Sequence, residues 1–326
     1  MPEHPLRTPR RTSRRGAVVL VALFAGAVAV GCGPPGSPGS GPATGSTAPS
    51  DSAGPSSSAA PSSSATAAPD GGSSGAELAD PEHAAPGTRA VPVYFYGHTP
   101  AGDRLYREFH QVRADGELGS PAVRELLARA GGVDPAYRSA WPRGWTLRAP
   151  VRHAAGVITV DLAGPSGGGQ APGSPAVAEL AVRQLVYTVQ GALGSVDPVR
   201  ILVGGQPARQ LWGRVDVASP RGRDDPYQVR SPIQIDNPGY GARVGRTFRV
   251  TGEAAVFEAT LDWQVLRGST VVRHGFATTA EGQKFSPYSF ELTLDPGSYT
   301  LRVSQEDLSG GEGRPPITDS KLITVG

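Results

Sequence analysis

One cysteine and one methionine occur among 326 residues, and aromatic residues make up only 6% of the chain. A lone cysteine can neither close an internal disulfide nor build a thiolate metal cage. Each folded part must therefore hold together by its hydrophobic core. The six histidines are scattered, with no ligand spacing such as H-E-x-x-H. The string G-x-S-x-G occurs only inside Gly-rich stretches, at 71–75 and 164–168, and no pair of carboxylates announces a glycosidase. The formal net charge is only +2. Five arginines and one glutamate precede Cys32, a local charge of +4, so the rest of the chain carries −2. That balance lacks the clustered basic face of a nucleic-acid binder. No enzyme activity, cofactor, metal or nucleic-acid partner is expected.

What is present begins with the position of Cys32. A basic segment, RTPRRTSRR, leads into AVVLVALFAGAVAV. This apolar run of 14 residues suits a signal h-region and falls short of the ~20 that cross a bilayer. Ala29 and Gly31 stand just before Cys32. The pattern resembles a bacterial lipoprotein signal peptide, with Ala29 where the usual lipobox has leucine. The resemblance implies that residues 1–31 are a signal peptide and that Cys32 is lipidated. Cys32 would anchor an extracytoplasmic protein to the cell membrane, facing the cell wall. Arg14-Arg15 also fits a twin-arginine export signal, and an ordinary basic region explains the same residues.

Residues 32–85 are dominated by Gly, Ser, Pro and Ala. From Gly33 to Gly75 there is no aromatic residue, no Leu, Ile or Val, and no Lys or Arg. Such a stretch buries too little apolar surface to offset the entropy of ordering, so a disordered tether is expected. A flexible chain of about 50 residues spans on the order of 40 Å.

At Val91 the texture changes. AVPVYFYGH and DRLYREFHQV read as strands joined at Thr99–Gly102. SPAVRELLARAGG reads as a helix with Ser120 as N-cap and Pro121 in its first turn. Thr146–Val151 and Val157–Leu162 read as a hairpin. A second helix follows, with Ser174 as N-cap, Pro175 next and a stop at Gly194. VRILVGG is then a strand. The order implies an α+β domain over 90–213, with helices on one face of a mixed sheet. YFYG, AWPRGWTLR, VITVDLAG and ELAVRQLVYTVQGALGSVDPVRILVGGQP occur in the order seen in the GerMN domain, which this region resembles. The resemblance implies a non-catalytic, envelope-associated module and supplies no catalytic residue. Trp141 and Trp145 are the candidate binding residues, as rings that stack on a sugar or a partner's apolar anchor, although capping the core beside Pro142 explains them too. Asp161 and Tyr187 read as structural, and the Gly-rich stretch 164–173 lacks the Lys-Ser/Thr of a phosphate loop.

Residues 214–231 are polar and proline-rich and read as a linker. Over 232–326, seven short strands with turns between them fit an immunoglobulin-like sandwich. Trp263 is placed on the third strand as a core residue. LDPGSYTLRV reads as a tyrosine corner at Tyr299. IDNPGYGARVGRTFRVTGEAAVFEATLDWQV and FELTLDPGSYTLRVSQEDLSGGEG resemble Gmad2, the immunoglobulin-like domain of bacterial spore germination. Within VFEA, Glu258 is expected at a buried edge. Glu306, Asp307, Glu312 and Asp319 are the weak metal candidates, since calcium takes 6–8 oxygen ligands. A solvated loop accounts for them without a metal.

The expected function is a non-enzymatic, lipid-anchored surface protein whose two domains bind cell-wall polymer or an envelope protein, sporulation- or germination-related by resemblance. The competing classes are a peptidoglycan-remodelling hydrolase and an accessory regulator of a membrane sensor.

Overall fold

The computed structural model describes residues 87–114, 116–166, 170–305 and 315–326. All lie in one compact unit, Ala67–Gly326. The signal segment, Cys32, the tether, Glu306, Asp307 and Glu312 fall outside the described residues.

Strands β1 (Thr88–Thr99) and β2 (Gly102–Arg113) form an antiparallel two-stranded sheet closed at Thr99–Gly102. Val91, Val93 and Phe95 alternate into the core. Helix α1 (Gly119–Ala128) buries Val123, Leu126 and Leu127 at three- and four-residue spacing. Ser120, the N-cap expected from sequence, does not hold that position. Leu118 does, and the Glu117 carboxylate accepts from the Gly119 and Ser120 N–H groups. A mixed sheet follows, built from β3 (Thr146–Leu147), β4 (Arg152–Ala154), β5 (Val157–Ala163), β6 (Val199–Val203) and β7 (Gln206–Pro207), with helix α2 (Pro175–Leu193) between β5 and β6. β5 and β6 pair in parallel, so α2 is their crossover. Ser174 does cap α2, accepting from Val177 N at 3.3 Å. Gly194 closes it with φ +60°, a left-handed conformation that costs glycine nothing. Leu185, Val186 and Val189 of α2 join Ile158, Leu162 and Ile201 in the first core. The two-stranded sheet stands apart from the mixed one, where a single sheet was expected.

The segment 214–231, expected as a linker, is packed. β8 (Gln210–Leu211) pairs with β9 (Val215–Asp216), and a short helix, α3 (Pro226–Val229), leads out. Val217 and Val229 are buried, Arg183 pairs with Asp224 at 2.6 Å, and Arg221 pairs with Glu179. This strap lies on the first domain.

The second domain comprises β10 (Ile233–Asn237), β11 (Ala242–Val244), β12 (Thr247–Ala254), β13 (Thr260–Arg267), β14 (Thr270–Thr278), β15 (Ser286–Thr293), β16 (Gly297–Gln305) and β17 (Thr318–Val325). One sheet runs β10-β12-β15 and the other β11-β17-β16-β13-β14. Ile233, Ile235, Val250, Leu261, Val265, Leu301, Val303 and Ile323 fill the space between them. Gly252 is required where the sheet crowds, because a Cβ there would lie 2.0 Å from the Gln234 carbonyl oxygen. The Tyr299 hydroxyl donates to the Asp295 carbonyl at 2.9 Å, the predicted corner. Trp263 is a correction. It is only half-buried, stacked on Phe290 at the edge of the core, and its indole N–H donates to the Phe276 carbonyl. Glu258 is also corrected. It is exposed, in a short 3-10 turn with φ +53°.

Candidate functional site

The residues nominated from sequence are not gathered at one site. Trp141 and Trp145 are 5% and 6% exposed, so the expected aromatic rim is corrected. With Trp212 they form an edge-to-face trio, ring centroids 5.3–5.8 Å apart. Trp141 also donates its indole N–H to the Ala181 carbonyl of α2 at 2.8 Å. Such rings hold the first core together, because their area is worth more buried than exposed. Asp319 is likewise no loop ligand. It lies in β17 at 4% exposure, with partners from the first domain. Among the described residues no group of three or more His, Cys, Asp or Glu could hold a metal ion.

What the structure brings together is a buried polar joint between the two domains. In one half, Arg107 of β2 donates to both oxygens of Asp236 on β10, from Nε at 3.1 Å and Nη2 at 2.5 Å. Its Nη1 reaches Glu253 at 3.3 Å, and Glu253 also pairs with Arg230 of the strap. Gln234 accepts from the Arg107 backbone N–H and donates to Asp236. A planar guanidinium suits this bidentate carboxylate geometry.

In the other half, Lys321 of β17 is 2% exposed. Its Nζ donates to Asp134 at 2.9 Å, Asp319 at 3.1 Å and the Tyr137 hydroxyl at 2.6 Å. Tyr137 donates to Asp319 at 2.8 Å, and the Ile235 N–H donates to the other Asp319 oxygen at 2.7 Å. Burial alone would pull the ammonium pKa down, but Asp319 and Asp134 outweigh it and hold Lys321 above its ordinary value. The charge is kept because its partners are as buried as it is.

The network continues into the first domain. The Val133 and Asp134 N–H groups both donate to Glu108 at 2.8 Å. Gly132 sits so close that a Cβ would meet the Glu108 carboxylate at 2.8 Å. Glu108 faces His110 Nε2 at 3.0 Å, and Glu125 of α1 faces Nδ1 at 2.8 Å. Carboxylates only accept, so both ring nitrogens donate and the ring is an imidazolium. Burial lowers the His110 pKa, but the hydrogen bonds to Glu108 and Glu125 outweigh it and raise it. Burial pushes the Glu108 pKa up, and the His110 and backbone N–H bonds bring it below its ordinary value. The bond from His110 also lowers that of Glu125.

None of this joint was read from sequence. Arg107, Asp134, Asp236, Glu253 and Lys321 are scattered across 215 positions, and although Asp236 and Glu253 fall inside the Gmad2-like stretch, no local pattern marks any of the five as charged partners. The only available signal was a charged residue at an inward position of an alternating strand, as Lys321 is between Asp319 and Ile323.

Comparison with known proteins supplies the families. The family described as "Sporulation and spore germination" (Germane) matches residues 92–209. The family described as "Immunoglobulin-like domain of bacterial spore germination" (Gmad2) matches residues 232–312. No curated protein matches the chain. Among solved structures, the tandem GerMN domains of the sporulation protein GerM from Bacillus subtilis align at 13% identity and a TM-score of 0.33, covering 44% of this chain. This chain spans about half of that protein, 47% of its length. A Clostridium perfringens protein described as a lipoprotein aligns at 18% identity and a TM-score of 0.29, covering 42% of this chain and 88% of its own. Likenesses this distant carry no argument of their own. Among the described residues no helix is long and apolar enough to cross a membrane. The chain carries a GerMN domain of the sporulation and spore-germination family followed by a Gmad2 immunoglobulin-like domain.

Proposed function

We propose that this chain is a non-enzymatic, lipid-anchored envelope protein whose two domains act as one binding body for cell-wall polymer or an envelope protein. The observation that carries this is the joint. Two domains from sporulation and germination families share a buried ion-pair network, Arg107–Asp236 and Lys321–Asp134, instead of a free hinge. Interfaces between independent domains are usually polar and loose, so fully buried charge across one favours a fixed composite surface. The basic and apolar segment before Cys32 supports the anchor, because a diacylglyceryl cysteine supplies the two acyl chains that stable attachment needs.

The test is sedimentation of the protein with purified peptidoglycan, followed by analysis of the supernatant. Co-sedimentation without muropeptide release is expected. Muropeptide release would sink the non-enzyme proposal in favour of a hydrolase. In cells, Cys32→Ser should leave the membrane fraction, and a variant that is processed normally and stays membrane-bound would remove the anchor.

A further inference from the structure

Arg267 ends β13 and Arg273 lies in β14, the terminal strand of its sheet. The register between these strands shifts at Val265/Leu266, which makes Val272 an extra residue on β14. A bulge bends its strand and re-aims the side chains around it. Here it flanks a cavity of about 420 Å³ whose wall includes Arg267, Val272, Arg273, Leu294, Asp295 and Tyr299.

Both guanidinium groups are fixed by neutral acceptors. Arg267 Nη2 donates to the Tyr299 hydroxyl at 2.6 Å and its guanidinium lies 5.0 Å from the ring centroid. Arg273 Nη1 donates to the Thr293 carbonyl at 2.7 Å. Among the described residues neither arginine has a carboxylate partner. The one carboxylate in the wall, Asp295, is engaged by Arg246 at 2.7 Å. Two oriented, uncompensated cations beside one concavity make an anion site, and the guanidinium fork matches a carboxylate with two parallel hydrogen bonds. Val272 and Leu294 add an apolar wall. That wall suits an aliphatic side chain next to the anion better than it suits the hydroxyls of a polyol.

We propose that this cavity is a binding site for a peptidic carboxylate, seated between Arg267 and Arg273 with an adjacent aliphatic side chain against Val272 and Leu294. The proposal rests on the reading of the chain as a binding protein and assigns part of that task to the second domain. Each arginine keeps free N–H donors, so the ligand forms new hydrogen bonds without breaking those to Tyr299 and Thr293.

The test is an NMR titration of the full chain, following the arginine Nε signals. The probes are N-acetyl-alanyl-valine with a free carboxylate, its C-terminal amide, and glycerol phosphate. The free acid should shift the Arg267 and Arg273 signals together, the amide should shift neither, and Arg273→Gln should weaken the acid about tenfold or more. Glycerol phosphate binding more tightly than the acid would overturn the peptide assignment in favour of a polyol-phosphate polymer. Unmoved arginine signals with every probe would overturn the site itself. If wall sedimentation then persists in an Arg267→Gln/Arg273→Gln variant that keeps its fold by circular dichroism, the site falls and the proposed envelope-binding role stands.

Discussion

His110 shows what one residue contributes and when. It is buried with Glu108 and Glu125 on its two nitrogens, and Arg129 Nε donates to the same Glu125 oxygen at 2.5 Å. Its folded pKa lies above 6.5, so its stabilisation is complete below that pH and is lost as pH rises through the higher folded value. Glu108 and Glu125 are lowered, so theirs is present above 4.5 and lost as pH falls. The stability difference between the parent and His110→Gln should therefore be largest near pH 5.5 and shrink toward about pH 9. Urea midpoints across that range would check it, and a constant difference would mean the ring is neutral. Tyr299 was legible because a tyrosine corner has a local signature, PGSY. Tyr299→Phe should cost about 1 kcal/mol. Trp263 was misplaced because alternation tells which side of a sheet a residue faces and says nothing of how near the rim it lies. At half exposure, Trp263→Ala should cost about 2 kcal/mol, below the ~3–5 of a fully buried site. Urea melts would rank the two.

Among elements, legibility followed the range of the determining contacts. Ser174-Pro175 and Gly194 fix both ends of α2 through bonds within a few residues, and a sequence displays such contacts directly. The same Ser-Pro start misled at α1, because a carboxylate three residues earlier takes the capping role there. Ser120 then serves the tertiary structure, since its hydroxyl donates to Glu117 and accepts from Val151 N at 2.8 Å, 31 residues away. The two serines should therefore fail differently. Ser174→Ala loses a cap, a cost of about 1 kcal/mol. Ser120→Ala strands a buried N–H, a cost on the order of 1–3 kcal/mol. Amide exchange should then show local fraying at Val177 in the first variant and faster exchange at Val151 in the second. Fraying at the start of α1 in Ser120→Ala would mean that it caps after all. Strand β11 went unseen because three residues carry no usable periodicity. The strap 214–231 read as a linker because proline and charge are common to linkers and to chain pinned by ion pairs.

For the whole molecule, fold class could be read from pattern while the relation between the domains could not. A hydrophobic period reports that a face is buried and not which partner buries it. Lys321 decides that relation. Removing one partner of a buried ion pair leaves the others uncompensated, at about 3–5 kcal/mol. Lys321→Met would leave Asp134 and Asp319 facing each other across the joint, at 4% exposure each. The cost falls on contacts between domains, because Asp134 and Tyr137 belong to the first and Asp319 to the second. The parent should therefore unfold in one calorimetric transition. Lys321→Met should lower its midpoint and split it into two, with the second domain melting first because the vacated position and the stranded Asp319 both lie on its strand β17. Asp134→Asn/Asp319→Asn added to Lys321→Met should restore part of the loss, since no buried charge is then left unpaired. Two transitions in the parent, or a variant that loses stability without splitting, would mean that the joint packs the domains without coupling them.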